Sequence, residues 1–167
     1  MATIYISIGS NIEPERYLTA ALIDLECEFG ALTLSSVFES EAVGFQGHNF
    51  LNMVVAVQTH LSIEAVVAIF KQIEKDHGRL PGVKKFSART LDLDLLLYDD
   101  CVCQLPIVLP RDEVLKNAFV LWPLAEIAPQ VEHPIAKQTY GVLWNAYDKQ
   151  KQKLWPVDFQ WQSEKQC

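Results

Sequence analysis

The run Arg89-Thr90-Leu91-Asp92-Leu93-Asp94-Leu95-Leu96-Leu97-Tyr98 narrows the possible folds of this chain more than any other feature. A strand sends residues i and i+2 to the same face, so Asp92 and Asp94 project side by side while Leu91, Leu93 and Leu95 point the opposite way into a core. Two aspartates that close repel each other, and either one buried alone would be strongly destabilising. A divalent cation relieves both problems. Oxygen-only ligands suit a hard ion, and magnesium takes one or two carboxylates and completes its shell with water and phosphate oxygens. The alternative is an edge strand whose aspartates face water, because aspartate is depleted in strands but not excluded from them.

Arg79, Lys84, Lys85 and Arg89 precede the aspartates. Carboxylates that hold a metal, beside guanidinium and ammonium groups that hold phosphate oxygens, are the parts of a phosphoryl-transfer site. Basic loops beside acidic strands also occur as surface ion pairing of little energetic weight. The chain as a whole is acidic, with 14 basic and 21 acidic residues and a formal charge of -7. That balance excludes a general polyanion binder, so nucleic acid is not an expected partner and any affinity for phosphate must be local.

With 167 residues, half of them apolar, the chain is long enough for one domain spanning 1–167, with a core at about 3–147 and a tail at 148–167. Cys27, Cys101, Cys103 and Cys167 show neither C-x-x-C spacing nor the density of a secreted disulfide scaffold, and read as reduced thiols. No basic leader precedes a cleavage site and no apolar run approaches the length of a membrane span. A cytoplasmic protein with no membrane partner is expected.

Thr3–Ile8 alternates with period two and meets Gly9-Ser10-Asn11, a strand ending in a tight turn. Asn11 is placed to cap a helix that opens with Glu13, Pro14 and Glu15, carries Leu18, Ala21, Leu22, Leu25 and Phe29 at helical spacing, and stops at Gly30. Residues 32–40 and 51–59 read as strands joined by a long loop. Ser62 to His77 is the clearest helix, and 79–90 a loop before the aspartate strand. Cys101–Leu105 suggests a small hairpin, Asp112–Ala118 a short helix, Phe119–Pro129 an apolar block and Tyr140–Tyr147 a last helix. The tail from Lys149, with Trp155, Phe159 and Trp161, shows no period and either packs on the body or frays. The order is β-α-β-β-α-β, an α+β, ferredoxin-like core with an antiparallel sheet and helices on one face.

Five motifs in this order resemble hydroxymethyl-dihydropterin pyrophosphokinase, the folate-pathway enzyme that moves pyrophosphate from ATP to a pterin alcohol. They are Gly9-Ser10-Asn11, Phe50-Leu51-Asn52, Ile73-Glu74 with Gly78-Arg79, Arg89-Thr90-Leu91-Asp92-Leu93-Asp94, and Phe119-x-Leu121-Trp122-Pro123-Leu124, covering Ile4 to about Pro129. The resemblance implies that Asp92 and Asp94 hold two magnesium ions and that Arg79 and Arg89 close over the phosphates. It implies that Phe50 and Phe119 sandwich the pterin, that Asn52 bonds its polar edge, and that Val43 and Gly44 line the same pocket. For ATP it implies Lys85, Arg89, Leu95 and Arg111. By the same resemblance the enzyme is a monomer acting on small molecules. Core packing is the other reading of both phenylalanines, and Glu74 reads equally well as a helix-surface residue.

The chain departs from the family pattern mainly on the nucleotide side. Pro81, Lys85 and Asn117 stand where arginines are common, Phe86-Ser87-Ala88 replaces Trp-Gly-Pro, and Arg111-Asp112 replaces His-Tyr. In the pterin loop, Ser40-Glu41-Ala42 stands where threonine followed by a proline pair is usual. Beside the pyrophosphokinase, two readings remain: a divergent pterin-binding relative with altered or lost ATP use, and a ferredoxin-like interaction domain.

Overall fold

The computed structural model describes residues 1–41, 49–78 and 90–161. Its strands are β1 (Ala2–Ser10), β2 (Thr33–Leu34), β3 (Val37–Ser40), β4 (Phe50–Thr59), β5 (Asp92–Tyr98) and β6 (Leu154–Val157). Its helices are α1 (Pro14–Phe29), α2 (Ile63–Asp76), α3 (Glu113–Lys116), α4 (Ala118–Ile127) and α5 (Tyr140–Ala146). The sheet runs β5-β1-β4-β3-β6, with β2 also on β4, and every pairing is antiparallel. Its first four strands are those of the β-α-β-β-α-β repeat, so the α+β, ferredoxin-like expectation holds.

β1 is central and is covered on both faces. Ile4, Ile6 and Ile8 meet Leu18, Leu22 and Leu25 of α1 and Val66, Phe70 and Ile73 of α2, joined by Met53, Val55 and Val57 of β4 and by Leu91, Leu93 and Leu95 at β5. Each such side chain contributes about 1.5–3 kcal/mol when fully buried. α2 starts where expected, with Ser62 Oγ accepting the Ala65 N–H at 3.2 Å. α1 ends at Gly30, whose φ of 86° lies where a side chain would be strained.

The opposite face is also covered, which corrects the one-face expectation. Tyr5, Val54, Leu96 and Leu97 pack against Val114 of α3, Val120, Leu121 and Leu124 of α4, and Tyr140 of α5. The register between β1 and β5 shifts after Tyr5, which pairs with Leu97 while Ile6 pairs with Leu95. A bulge of this kind sets two residues against one, and both Leu96 and Leu97 join this second core. α4 escaped the sequence pattern because six of its ten residues are buried, with Pro123 inside it, so it shows no amphipathic stripe.

Three local expectations change. Residues 32–40 form two short strands, not one, because Ser35 Oγ accepts the Val54 N–H at 2.9 Å and the Glu126 carboxylate takes both the N–H and the hydroxyl of Ser36. The residue before α1 is Glu13, in the left-handed region, while Asn11 is buried. Of the two readings of the tail, packing on the body holds, since β6 pairs with β3 and Phe159 and Trp161 pack on the first core. Cys101 and Cys103 are free, whereas Cys27 is disulfide-bonded, so the expectation of reduced thiols fails there. Cys27 stands apart from the other cysteines in the sequence, and spacing rules read only clustered ones. Among the described residues no helix is long and apolar enough to cross a membrane.

His133, between α4 and α5, is buried, and its Nδ1 accepts the N–H groups of Ile135 at 3.2 Å and Ala136 at 3.0 Å. Burial lowers its pKa from 6.5. As pH falls below 6.5 the unfolded chain takes up a proton that the folded ring refuses, so this contribution is present above that pH and is lost below it. His133→Asn, which keeps an acceptor near the Nδ1 position and removes the titration, is expected to flatten the fall in melting temperature between about pH 7 and pH 5. Thermal unfolding across that range measures it.

Candidate active site

The antiparallel register sets one row of side chains across the sheet. Phe38 of β3 lies opposite Asn52 of β4, Asn52 opposite Gly9 of β1, and Gly9 opposite Asp92 of β5. The next row on this face is Val54, Ser7 and Asp94. Opposed residues of paired strands share a face, so Asn52, Asp92 and Asp94 point the same way, toward the side carrying α3, α4 and α5. These helices bury Tyr5, Val54 and Leu96 and leave Asp92 and Asp94 half-exposed.

Gly9 separates Asn52 from Asp92 for a steric reason. A Cβ at position 9 would stand 2.6 Å from Asn52 Nδ2, so the Asn52 amide occupies the space that any larger residue would claim. Asn52 is buried, Phe50 and Phe119 are half-buried, and Phe119 packs against the second core from the first turn of α4. Phe50 lies two residues before Asn52 on β4, hence on the same face. The structure therefore brings Phe50, Asn52, Asp92 and Asp94 to one face, with Phe119 above it.

β5 is an edge strand, and the Leu93 N–H on its open side needs a partner from outside the sheet. Glu74 Oε2 accepts it at 2.9 Å. Glu74 is itself buried, 8% exposed, so the surface reading of this residue gives way to a carboxylate that fixes the backbone between the two aspartates. The sequence signal was its place on α2, one residue after Ile73 at the edge of the apolar stripe, but helical periodicity cannot say which backbone group it meets.

Arg111 enters from the loop after β5, where its N–H donates to Leu96 O at 3.0 Å. Its Nη2 lies 3.2 Å from Asp94 Oδ1, and its Nε lies 3.9 Å from Glu113 Oε1. The Nε–H is buried without a hydrogen-bond acceptor among the described residues. The family resemblance placed Arg111 near a nucleotide and gave no sign of its contact with Asp94. Asn117, where an arginine is common, accepts from Gln152 Nε2 at 3.2 Å, and Gln152 Oε1 accepts the Ala118 N–H at 2.8 Å.

Leu95 is buried among the side chains of the α1/α2 core, so its side chain faces away from this site. Val43, Gly44, Arg79, Lys85 and Arg89, also expected in the site, lie outside the described residues. Among the described residues no group of three or more His, Cys, Asp and Glu side chains could hold a metal ion. Two oxygen donors on one partly open face do fit magnesium, which leaves most of its shell to water and phosphate.

Residues 5–129 match the family described as 7,8-dihydro-6-hydroxymethylpterin-pyrophosphokinase. The chain is similar to the 2-amino-4-hydroxy-6-hydroxymethyldihydropteridine pyrophosphokinase of Aquifex aeolicus, 36% identical over 141 residues, which cover 83% of this chain and 88% of the relative. The enzyme of the same name from Bacillus subtilis is 36% identical over 133 residues, 77% of this chain and 79% of the relative. Among solved structures, Plasmodium falciparum HPPK-DHPS gives a TM-score of 0.69 at 13% identity, over 88% of this chain and 44% of that one. This last likeness speaks for the fold alone, and the chain spans less than half of that longer protein.

Glu74→Ala leaves the Leu93 N–H without this acceptor, and a loss of roughly 1–3 kcal/mol in urea unfolding is expected. Glu74→Gln retains a carbonyl acceptor and is expected to lose less. Amide hydrogen exchange at Leu93 should rise in the first variant and stay near wild type in the second.

Proposed function

The chain belongs to the 7,8-dihydro-6-hydroxymethylpterin-pyrophosphokinase family, and we propose that it transfers pyrophosphate from ATP to the hydroxymethyl group of the dihydropterin, with magnesium held by Asp92 and Asp94. It is on this reading a transferase of folate biosynthesis acting on small molecules. The observation that carries the site assignment is the pair of rows that sets Asn52 and Asp92 on either side of Gly9, with Asp94 in the adjoining row.

Each residue has a part that follows from its chemistry. Asp92 and Asp94 are acceptor-only when ionised and would hold two magnesium ions. The metal, when bound, neutralises charge on the phosphates and makes the β-phosphorus a better target for the pterin hydroxyl. Asn52 offers both a donor and an acceptor to the polar edge of a pterin, and Phe50 and Phe119 offer ring faces to its flat surface. Val43 and Gly44 are assigned to the same pocket. Arg79 and Arg89 are assigned to the transferring phosphates, while Lys85, Arg111 and the main chain at Leu95 are assigned to the nucleotide. Glu74 keeps the strand of the aspartates in place.

A second reading, a pterin-binding relative with altered or lost ATP use, draws support from the nucleotide side. There Asn117 stands in place of a common arginine and is engaged with Gln152, and Arg111 is engaged with Asp94. Mixing the protein, ATP, magnesium and 6-hydroxymethyl-7,8-dihydropterin separates the two. AMP in step with pterin pyrophosphate establishes the transferase, and pterin binding without AMP establishes the relative.

Asp92→Ala and Asp94→Ala are each expected to lower AMP formation by at least about 100-fold with unfolding midpoints close to wild type, and chelation of divalent cations should act likewise. Phe50→Ala and Phe119→Ala are expected to weaken pterin binding by roughly two- to tenfold and to leave ATP binding nearly unchanged. Calorimetric titration with each ligand separately reads this out. Equal weakening of both ligands would return the two rings to plain packing.

A further inference from the structure

Arg111 sets its positive charge against one of the two carboxylates assigned to the metal. Its guanidinium meets Asp94 Oδ1 through Nη2, at 3.2 Å. The planar fork that would grip a carboxylate with two parallel bonds is not used. Nε lies 3.9 Å from Glu113 Oε1, beyond hydrogen-bond distance, and this buried N–H has no acceptor among the described residues. The main chain of Arg111 is held in place, because its N–H is bonded to Leu96 O beside the β5 bulge. A pinned backbone, a long side chain and an incomplete grip describe a group that can swing while its Cα stays.

Resting on the magnesium and ATP assignment above, we infer that Arg111 is an internal counter-ion that screens Asp94 before ligands arrive and moves onto a phosphate oxygen when metal and nucleotide enter together. The reason is charge. Asp92 and Asp94 share one face with Arg111 between Asp94 and Glu113. A divalent ion placed on Asp94 repels the guanidinium at this distance and takes the oxygen it was holding. A triphosphate supplies what the arginine then lacks, several oxygens in the geometry its fork fits. Metal alone therefore has to displace Arg111 with no new partner for it. Metal with nucleotide displaces it onto one. Arg111 makes the site favour the complex of metal and triphosphate over the free ion.

The test measures binding rather than turnover. Manganese stands in for magnesium and is titrated into the full-length protein by electron paramagnetic resonance, with and without α,β-methylene-ATP, whose α–β bridge cannot be cleaved. Arg111→Ala is expected to tighten binding of manganese alone by about three- to tenfold, the range of a half-exposed ion pair, and to weaken the analogue in the presence of metal by a similar factor. Arg111→Gln, which keeps a long stem and removes the charge, should behave the same way and guards against a packing defect in the alanine variant. The inference is overturned if both variants bind manganese alone as wild type does, or more weakly, with unfolding midpoints unchanged. If wild type and variants bind no manganese even with the analogue, the metal assignment falls and the inference falls with it. If all bind it equally with the analogue and equally without it, only the counter-ion role is lost.

Discussion

Two like charges two residues apart on one strand form the constraint from which the rest of this architecture follows. Asp92 and Asp94 can share a face only if that face is partly open and the opposite face is anchored firmly enough to hold the strand against their repulsion. Leu91, Leu93 and Leu95 supply the anchor, buried at 0%, 5% and 2% exposure beneath α1 and α2. Glu74 adds a bond to the Leu93 N–H on the open edge, so the backbone between the aspartates is fixed from its outer side. Arg111 then brings a positive charge to Asp94 from the segment that follows the strand. Packing, a buried carboxylate and a half-exposed guanidinium all serve one short stretch of chain.

The second face of the sheet depends on the C-terminal third of the chain. α3, α4 and α5 cover Tyr5, Val54, Leu96 and Leu97 but stop short of the aspartates. Their limit defines the site: further cover would bury the carboxylates, and less would leave the sheet wet. Trp122 of α4 stacks between Phe38 and Trp144, with ring centroids at 4.5 and 5.1 Å, and so ties the helix layer to the strand that begins the Phe38–Asn52–Gly9–Asp92 row. The tail contributes too, because β6 extends the sheet beyond β3 and Gln152 caps the junction before α4.

Two positions that depart from the family pattern, Asn117 and Arg111, are engaged in contacts within the chain. Asn117 is bonded to Gln152, and Arg111 to Asp94. Asn117 leaves no charge where the family pattern commonly has an arginine. Arg111 is different, since its cation remains and is held by a carboxylate of the site itself. On the proposed assignment, a change at Arg111 acts on the metal side as well as the nucleotide side.

Much of this was written in local pattern. Period-two alternation identifies β1, β4 and β5, the spacing of Val66, Phe70 and Ile73 identifies α2, and the i, i+2 rule alone places Asp92 and Asp94 together. Phe50 and Asn52 are likewise two apart on one strand. Local pattern could not supply what depends on register and on which elements meet. That Gly9 stands between Asn52 and Asp92 follows from how three strands align, and no window of sequence contains that alignment. Of the helices on the second face only α4 was hidden, because it is apolar nearly all round. Ser35 broke a strand by bonding Val54 across the sheet, and Glu74 became a support by meeting one backbone N–H. The sequence by itself determined β1, β4 and β5, the two principal helices and the paired carboxylates, since these rest on side-chain periodicity along one element. Only the tertiary structure decided the two-sided sheet, the role of Glu74 and the hold of Arg111 on Asp94, because each is a contact between residues far apart in the chain whose meeting is set by packing.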